Sequence, residues 1–175
     1  GMDLGDVDGD GKLETVLATP EHVLIYRFEN QRFFEAGRIE LPSFRSVVGV
    51  DVGDINGNGI EEIFVSALNS QRNAGQSAVY EYQGDRYAPI VESTPWYFRV
   101  VRQDDFGKQL YGQRQRLDKD PFEAAIYRMA WEGGGYVSQN RMLPPGKANV
   151  FGFSVGRPTE AGDSAANDAI QAFGG

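Results

Sequence analysis

An all-β chain of repeated four-stranded antiparallel units is what this sequence predicts. Three observations carry the prediction. GMDLGDVDGDGKLETVL (residues 1–17) lies over GVDVGDINGNGIEEIFV (49–65) without a gap, at a spacing of 48 residues, so the chain repeats itself. Between turns rich in Gly, Pro, Asn, Asp and Gln, the apolar runs are short and made of β-branched and aromatic residues, which suit a pleated, half-buried surface. No stretch before residue 158 sustains a helical period.

The elements follow in order. Ile25-Tyr26-Arg27-Phe28, Val79-Tyr80-Glu81-Tyr82 and Ile126-Tyr127-Arg128-Met129 are three copies of one aromatic strand. FFEAGRIELP (33–42), RYAPIVESTP (86–95) and GYVSQNRMLP (135–144) are three copies of the next strand, each closed by a proline. In the second unit the strands fall near 46–53, 61–68, 77–83 and 86–92. Four strands per unit of about 40–50 residues is the arithmetic of a β-propeller blade. The units span about 1–46, 47–95 and 96–148, and a fourth starts over 149–157, where GFSVG (152–156) resembles GVDVG (49–53). Residues 158–175 form a polar tail, either flexible or holding a short helix in AANDAIQAF. Propellers close with about four to eight blades. Three blades and the first strand of a fourth are therefore expected to belong to a larger propeller or to be completed by homo-oligomerisation.

Composition narrows the function. The 175 residues carry a formal charge of −8, which repels a phosphate backbone and disfavours a nucleic-acid partner. No apolar run reaches the roughly 20 residues needed to span a bilayer, so no membrane insertion is expected within this segment. There is no cysteine and one histidine, His22, placed where a turn enters a strand. No nucleophile elbow, Walker or dinucleotide-binding pattern occurs. A non-catalytic chain is the expectation.

Two loops carry the distinctive chemistry. DVDGDGKLE (6–14) offers the side chains of Asp6, Asp8 and Asp10, the backbone carbonyl of Lys12 and the side chain of Glu14. DINGNGIEE (54–62) offers Asp54, Asn56, Asn58, the carbonyl of Ile60, and Glu62. Alternate residues converge when such a loop curls, and the interleaved glycines permit the left-handed backbone that curling requires. An all-oxygen cage with loose geometry suits Ca²⁺ better than Mg²⁺ or Zn²⁺. A helix–loop–helix calcium site would need a glutamate at the twelfth loop position, where this chain has Leu17 and Val65.

The pattern DxDxDGxxE between two strands, once per four-stranded unit, resembles the calcium loop of the FG-GAP or VCBS repeats of integrin alpha-chain propellers and many bacterial surface proteins. The resemblance spans residues 1–157. It implies bound Ca²⁺, an extracellular, cell-surface or periplasmic location, and a role in adhesion, ligand binding or assembly. Asp6, Asp8, Asp10 and Glu14, then Asp54, Asn56, Asn58 and Glu62, match the ligand pattern residue by residue. The third unit (RQDDFGKQL, 102–110) and the fourth (GRPTEAGDS, 156–164) lack it, so two calcium sites are expected. The loop QRQRLDKDPFE (113–123) carries Arg114, Arg116, Asp118 and Lys119 and is a candidate contact for a protein or carbohydrate ligand. Trp96, Tyr97 and Trp131 are expected to pack between blades. The rival reading makes these blades an accessory of a secreted enzyme whose catalytic residues lie elsewhere.

Overall fold

The structure is a computed structural model that describes residues 1–69, 74–103, 106–116, 122–144, 146, 148–155 and 170–172. Twelve strands form three four-stranded antiparallel sheets. The first blade holds β1 (Met2–Gly5), β2 (Glu14–Ala18), β3 (His22–Glu29) and β4 (Arg32–Glu40). The second holds β5 (Arg45–Gly53), β6 (Glu62–Asn69), β7 (Ser77–Tyr82) and β8 (Tyr87–Thr94), close to the four strands predicted. The third holds β9 (Trp96–Gln103), β10 (Gly107–Gln115), β11 (Phe122–Glu132) and β12 (Gly135–Met142). Each sheet is a meander in chain order. These are propeller-type blades, and the repeat is kept in their register: Gly5 faces Glu14 in the first, and Gly53 faces Glu62 in the second.

Alternation along the strands decides how the blades stack. In β6 every residue from Glu62 to Ala67 is buried, because the second blade is covered on both faces. Ile63 and Val65 point to the first blade and join Val16, Val23, Ile25, Ile39, Val50 and Val52. Phe64, on the opposite face, joins Val79, Trp96, Phe98, Val100, Leu110 and Met129 between the second and third blades. On the far face of the third blade Tyr97, Tyr111 and Ile126 pack with Val150, which lies in a 3₁₀ turn (Val150–Gly152). Trp96 and Tyr97 thus pack between units as expected. Trp131 is half-buried and lies instead on its own hairpin partner Tyr136, ring centroids 4.9 Å apart.

The blades fan out from their first strands. β1, β5 and β9 run side by side, whereas the fourth strands diverge. Each first strand is a sheet edge whose outward N–H groups need partners. The preceding blade supplies one: Asp3 Oδ2 accepts the Val52 N–H at 2.7 Å, and Asp51, at the same position of the next unit, accepts the Val100 N–H. Asp51 also accepts from Arg99 Nη1 at 2.7 Å. Where β4 and β8 splay apart they leave a cleft of about 560 Å³ between blades, lined by Ile39, Pro42, Phe44, Arg45, Tyr87 and Pro89.

The blade joint is tight at Gly5. A Cβ there would collide with Val52 Cγ1 and Glu61 Oε2 of the second blade. Gly5→Ala is therefore expected to destabilise by about 1–3 kcal/mol through overpacking, measured by denaturant unfolding. An unchanged midpoint would mean that the first two blades are not seated this closely.

Of the tail, the structure describes residues 170–172. Ile170–Ala172 (β14) is a strand paired antiparallel with Phe153–Val155 (β13), so these residues do not form the helix anticipated in AANDAIQAF. Pairing of β13 in the fourth unit gives its ladder groups the partners that a helix would leave to be found elsewhere.

Candidate metal centre

The first loop lies between β1 and β2, the second between β5 and β6. Gly9 and Gly11 adopt φ of 75° and 84°, and Gly57 and Gly59 of 78° and 89°, a left-handed backbone reserved largely for glycine. That backbone turns the alternate side chains inward. In the first loop Asp6 Oδ2 accepts the Gly11 N–H at 2.9 Å, Asp8 Oδ1 that of Asp10 at 3.2 Å, and Asp10 Oδ1 that of Lys12 at 2.9 Å. In the second, Asp54 accepts from Gly57 (2.8 Å), Asn58 (3.1 Å) and Gly59 (3.0 Å). Asn56 Oδ1 and Asn58 Oδ1 accept the N–H groups of Asn58 and Ile60 at 3.0 and 2.9 Å.

The glutamates at the loop ends are wholly buried ties. Glu62 is 0% exposed and accepts the N–H of Ile55 at 2.7 Å, that of Asn56 at 3.0 Å and the Tyr136 hydroxyl at 2.6 Å. Burial raises its pKa, against the pull of those donors. Glu14, also 0% exposed, accepts the Val7 N–H at 3.3 Å and Arg27 Nε at 3.2 Å. Burial and the neighbouring Asp8 charge raise its pKa, with Arg27 opposing.

Among the described residues, Asp6, Asp8 and Glu14 form a carboxylate group whose oxygens lie within 4.8 Å of one another. Asp6 Oδ1 is buried and accepts no hydrogen bond. An anionic oxygen shut from water without a partner is costly, and a hard cation bound there would satisfy it. The chemistry of the donors therefore fits Ca²⁺ at the first loop. In the second loop both oxygens of Asp54 and both of Glu62 already have donors. The two loops touch: Glu61 donates its N–H to the Asp6 carbonyl at 3.0 Å, and Lys108 of the third blade reaches Glu61 Oε2 at 2.8 Å.

Residues 6–65 match the family model for the FG-GAP-like repeat. The chain carries an FG-GAP-like repeat. The matched stretch runs from the first loop into β6 and so takes in both loops. No curated protein matches the chain.

Around the FG-GAP-like repeat, the structure adds residues that the loop pattern alone does not name. Arg27 on β3 reaches Asp8, Asp10 (3.2 Å) and Glu14 (3.2 Å). Glu81 on β7 accepts Asn56 Nδ2 at 2.6 Å and Asn58 Nδ2 at 2.8 Å. Tyr87 and Tyr136, the same position of successive units, each come from the following blade: Tyr136 bonds Glu62, and burial beside the charges of Asp8 and Glu14 raises the Tyr87 pKa. The signal was present in the aligned strands, where Arg27 and Glu81 share a position, but only spatial proximity links it to the loops. Lys12 places its ammonium on Glu29 at 3.1 Å and near Asp10 at 3.8 Å. Elsewhere, Arg114 stacks over Trp96, 5.3 Å from the ring centroid, and Arg116 lies beside Phe122 and Glu123 on a separate depression. Asp118 and Lys119 lie outside the described residues. His22 Nε2 meets Glu40 Oε2 at 3.0 Å at the start of β3.

Proposed function

We propose that this chain is a calcium-binding, non-catalytic propeller segment of an exported or cell-surface protein, working by ligand binding, adhesion or assembly. The observation that supports it most is Asp6 Oδ1, buried and without a partner inside the Asp6, Asp8, Glu14 group. Asp10 and the Lys12 carbonyl complete the cage at the first loop. Asp54, Asn56, Asn58, the Ile60 carbonyl and Glu62 repeat the ligand pattern in the second loop, where N–H groups of the chain already occupy the oxygens of Asp54 and Glu62. Because the two loops touch, an ion held in the first would brace the joint between the first two blades. Arg114 and Arg116 are the described candidates for contact with a protein or carbohydrate ligand, and further blades or a second copy would complete the ring.

Thermal unfolding with calcium against chelator tests the metal. A ligand at about 100 times its dissociation constant adds roughly 2.7 kcal/mol per site. The melting temperature is expected to rise in millimolar calcium, and Asp8→Ala should abolish most of that rise. Identical melting in calcium and chelator would remove calcium from the reading.

A further inference from the structure

The two loops use the first terminal atom of their third and fifth residues identically. Asp8, Asp10, Asn56 and Asn58 each give Oδ1 to the backbone N–H two residues on. The other terminal atom turns to the third strand, and there the polarity inverts. In the first blade it is a carboxylate oxygen, and it meets the guanidinium of Arg27. In the second it is an amide nitrogen, and it meets the carboxylate of Glu81. Arg27 and Glu81 occupy one position of the repeat, third in Ile25-Tyr26-Arg27-Phe28 and in Val79-Tyr80-Glu81-Tyr82. Three positions have exchanged donors for acceptors together. The exchange keeps each contact complementary: carboxylate oxygens meet a guanidinium in the first blade, and amide nitrogens meet a carboxylate in the second.

We propose that Arg27 is a resident counter-cation of the first loop that sets its metal affinity, and that Glu81 closes the second loop in the opposite polarity without an ion. The metal half of this rests on the calcium reading above; the polarity half does not. Asp8, Asp10 and Glu14 would repel one another if left bare, and the planar guanidinium bridges all three as a lysine ammonium could not. A cation arriving at Asp6 Oδ1 meets that fixed positive charge and binds less tightly than the carboxylate count suggests. In the second loop the amide nitrogens point at Glu81, so an ion seeking the amide oxygens must first turn both amides over and break two short hydrogen bonds. Arg27 is thus a positioning and affinity-setting residue, and Glu81 a lock.

Calcium titration calorimetry on the wild type and Arg27→Gln, with melting curves in chelator and in calcium, tests the first half. Arg27→Gln is expected to melt lower in chelator, bind calcium about tenfold more tightly, roughly 1.4 kcal/mol, and gain more from calcium than the wild type does. Unchanged affinity with equal losses in both buffers makes Arg27 a strut and overturns the metal half while leaving calcium binding intact. No binding heat in either protein overturns the calcium reading and the metal half together. The polarity half is decided in chelator. Glu81→Arg alone should destabilise by setting a cation against two amide donors, and Glu81→Arg with Asn56→Asp and Asn58→Asp should recover most of the loss by rebuilding the first loop's arrangement in the second blade. A triple variant no more stable than Glu81→Arg overturns it.

Discussion

Glu62→Ala is expected to cost about 3–5 kcal/mol, in chelator as well as in calcium. The side chain is 0% exposed and takes three hydrogen bonds, from the N–H groups of Ile55 and Asn56 and from the Tyr136 hydroxyl. Truncation leaves those donors buried and unpaired, each losing on the order of 1–3 kcal/mol. It also cuts the link between the second loop and β12 of the third blade. For a chain of this size the melting temperature should fall by roughly 6–20 °C. Tyr136→Phe removes one donor and should cost only about 1 kcal/mol. A loss of stability seen in calcium but absent in chelator would mean that Glu62 acts as a metal ligand and not as a structural tie.

Asp51 should make stability depend on pH near neutrality. Burial pushes its pKa up to about 7 from an ordinary 3.8, with Arg99 opposing the rise and Asp3 adding to it. Because the folded value lies above the unfolded one, the group's stabilising contribution is full below about 3.8 and is lost as pH rises through about 7. Between pH 5 and pH 8 the wild type should lose about 2 kcal/mol relative to Asp51→Asn, since each pH unit below the folded pKa is worth roughly 1.4 kcal/mol. The asparagine keeps an acceptor for Arg99 but has no charge to bury. Melting temperatures of the two proteins across that range provide the check. Parallel profiles would mean that the Arg99 guanidinium holds Asp51 ionised throughout.

Much of this fold was legible because its signals are local. The ungapped match of 1–17 to 49–65 and the recurrent Tyr-containing strands fix the blade period, and the turn residues place β5 to β8 nearly where they lie. The loops were legible for the same reason, since alternating oxygen donors with glycines between them are a contiguous pattern. What sequence spacing did not reveal is which groups already satisfy those donors. Arg27 lies 13 residues from Glu14, and Tyr136 lies 74 residues from Glu62. Such partners come from the third strand of the same blade or the fourth strand of the next, and only the sheet register brings them to the loop. In the tail, Ile170–Ala172 pairs with a strand of the fourth unit, a partnership that the composition of those residues does not announce.

The joint made by Asp3 and Asp51 separates two kinds of opening that hydrogen exchange can distinguish. Amides inside a blade are held by neighbouring strands and exchange when the sheet frays. Those of Val52 and Val100 are held by an aspartate of the preceding blade, so they exchange when one blade lifts from the next, even while each sheet stays intact. The series stops at Arg99, which takes the same position in the third unit and offers no acceptor. At the following joint the latch moves to Gln113 of β10, which is wholly buried, accepts the Val150 N–H at 2.8 Å and donates to the Ala148 carbonyl at 3.1 Å, beside the rings of Tyr97, Phe122 and Phe151. The Val150 amide should therefore report the lifting of the fourth unit from the third blade, as the Val52 amide reports the parting of the first two.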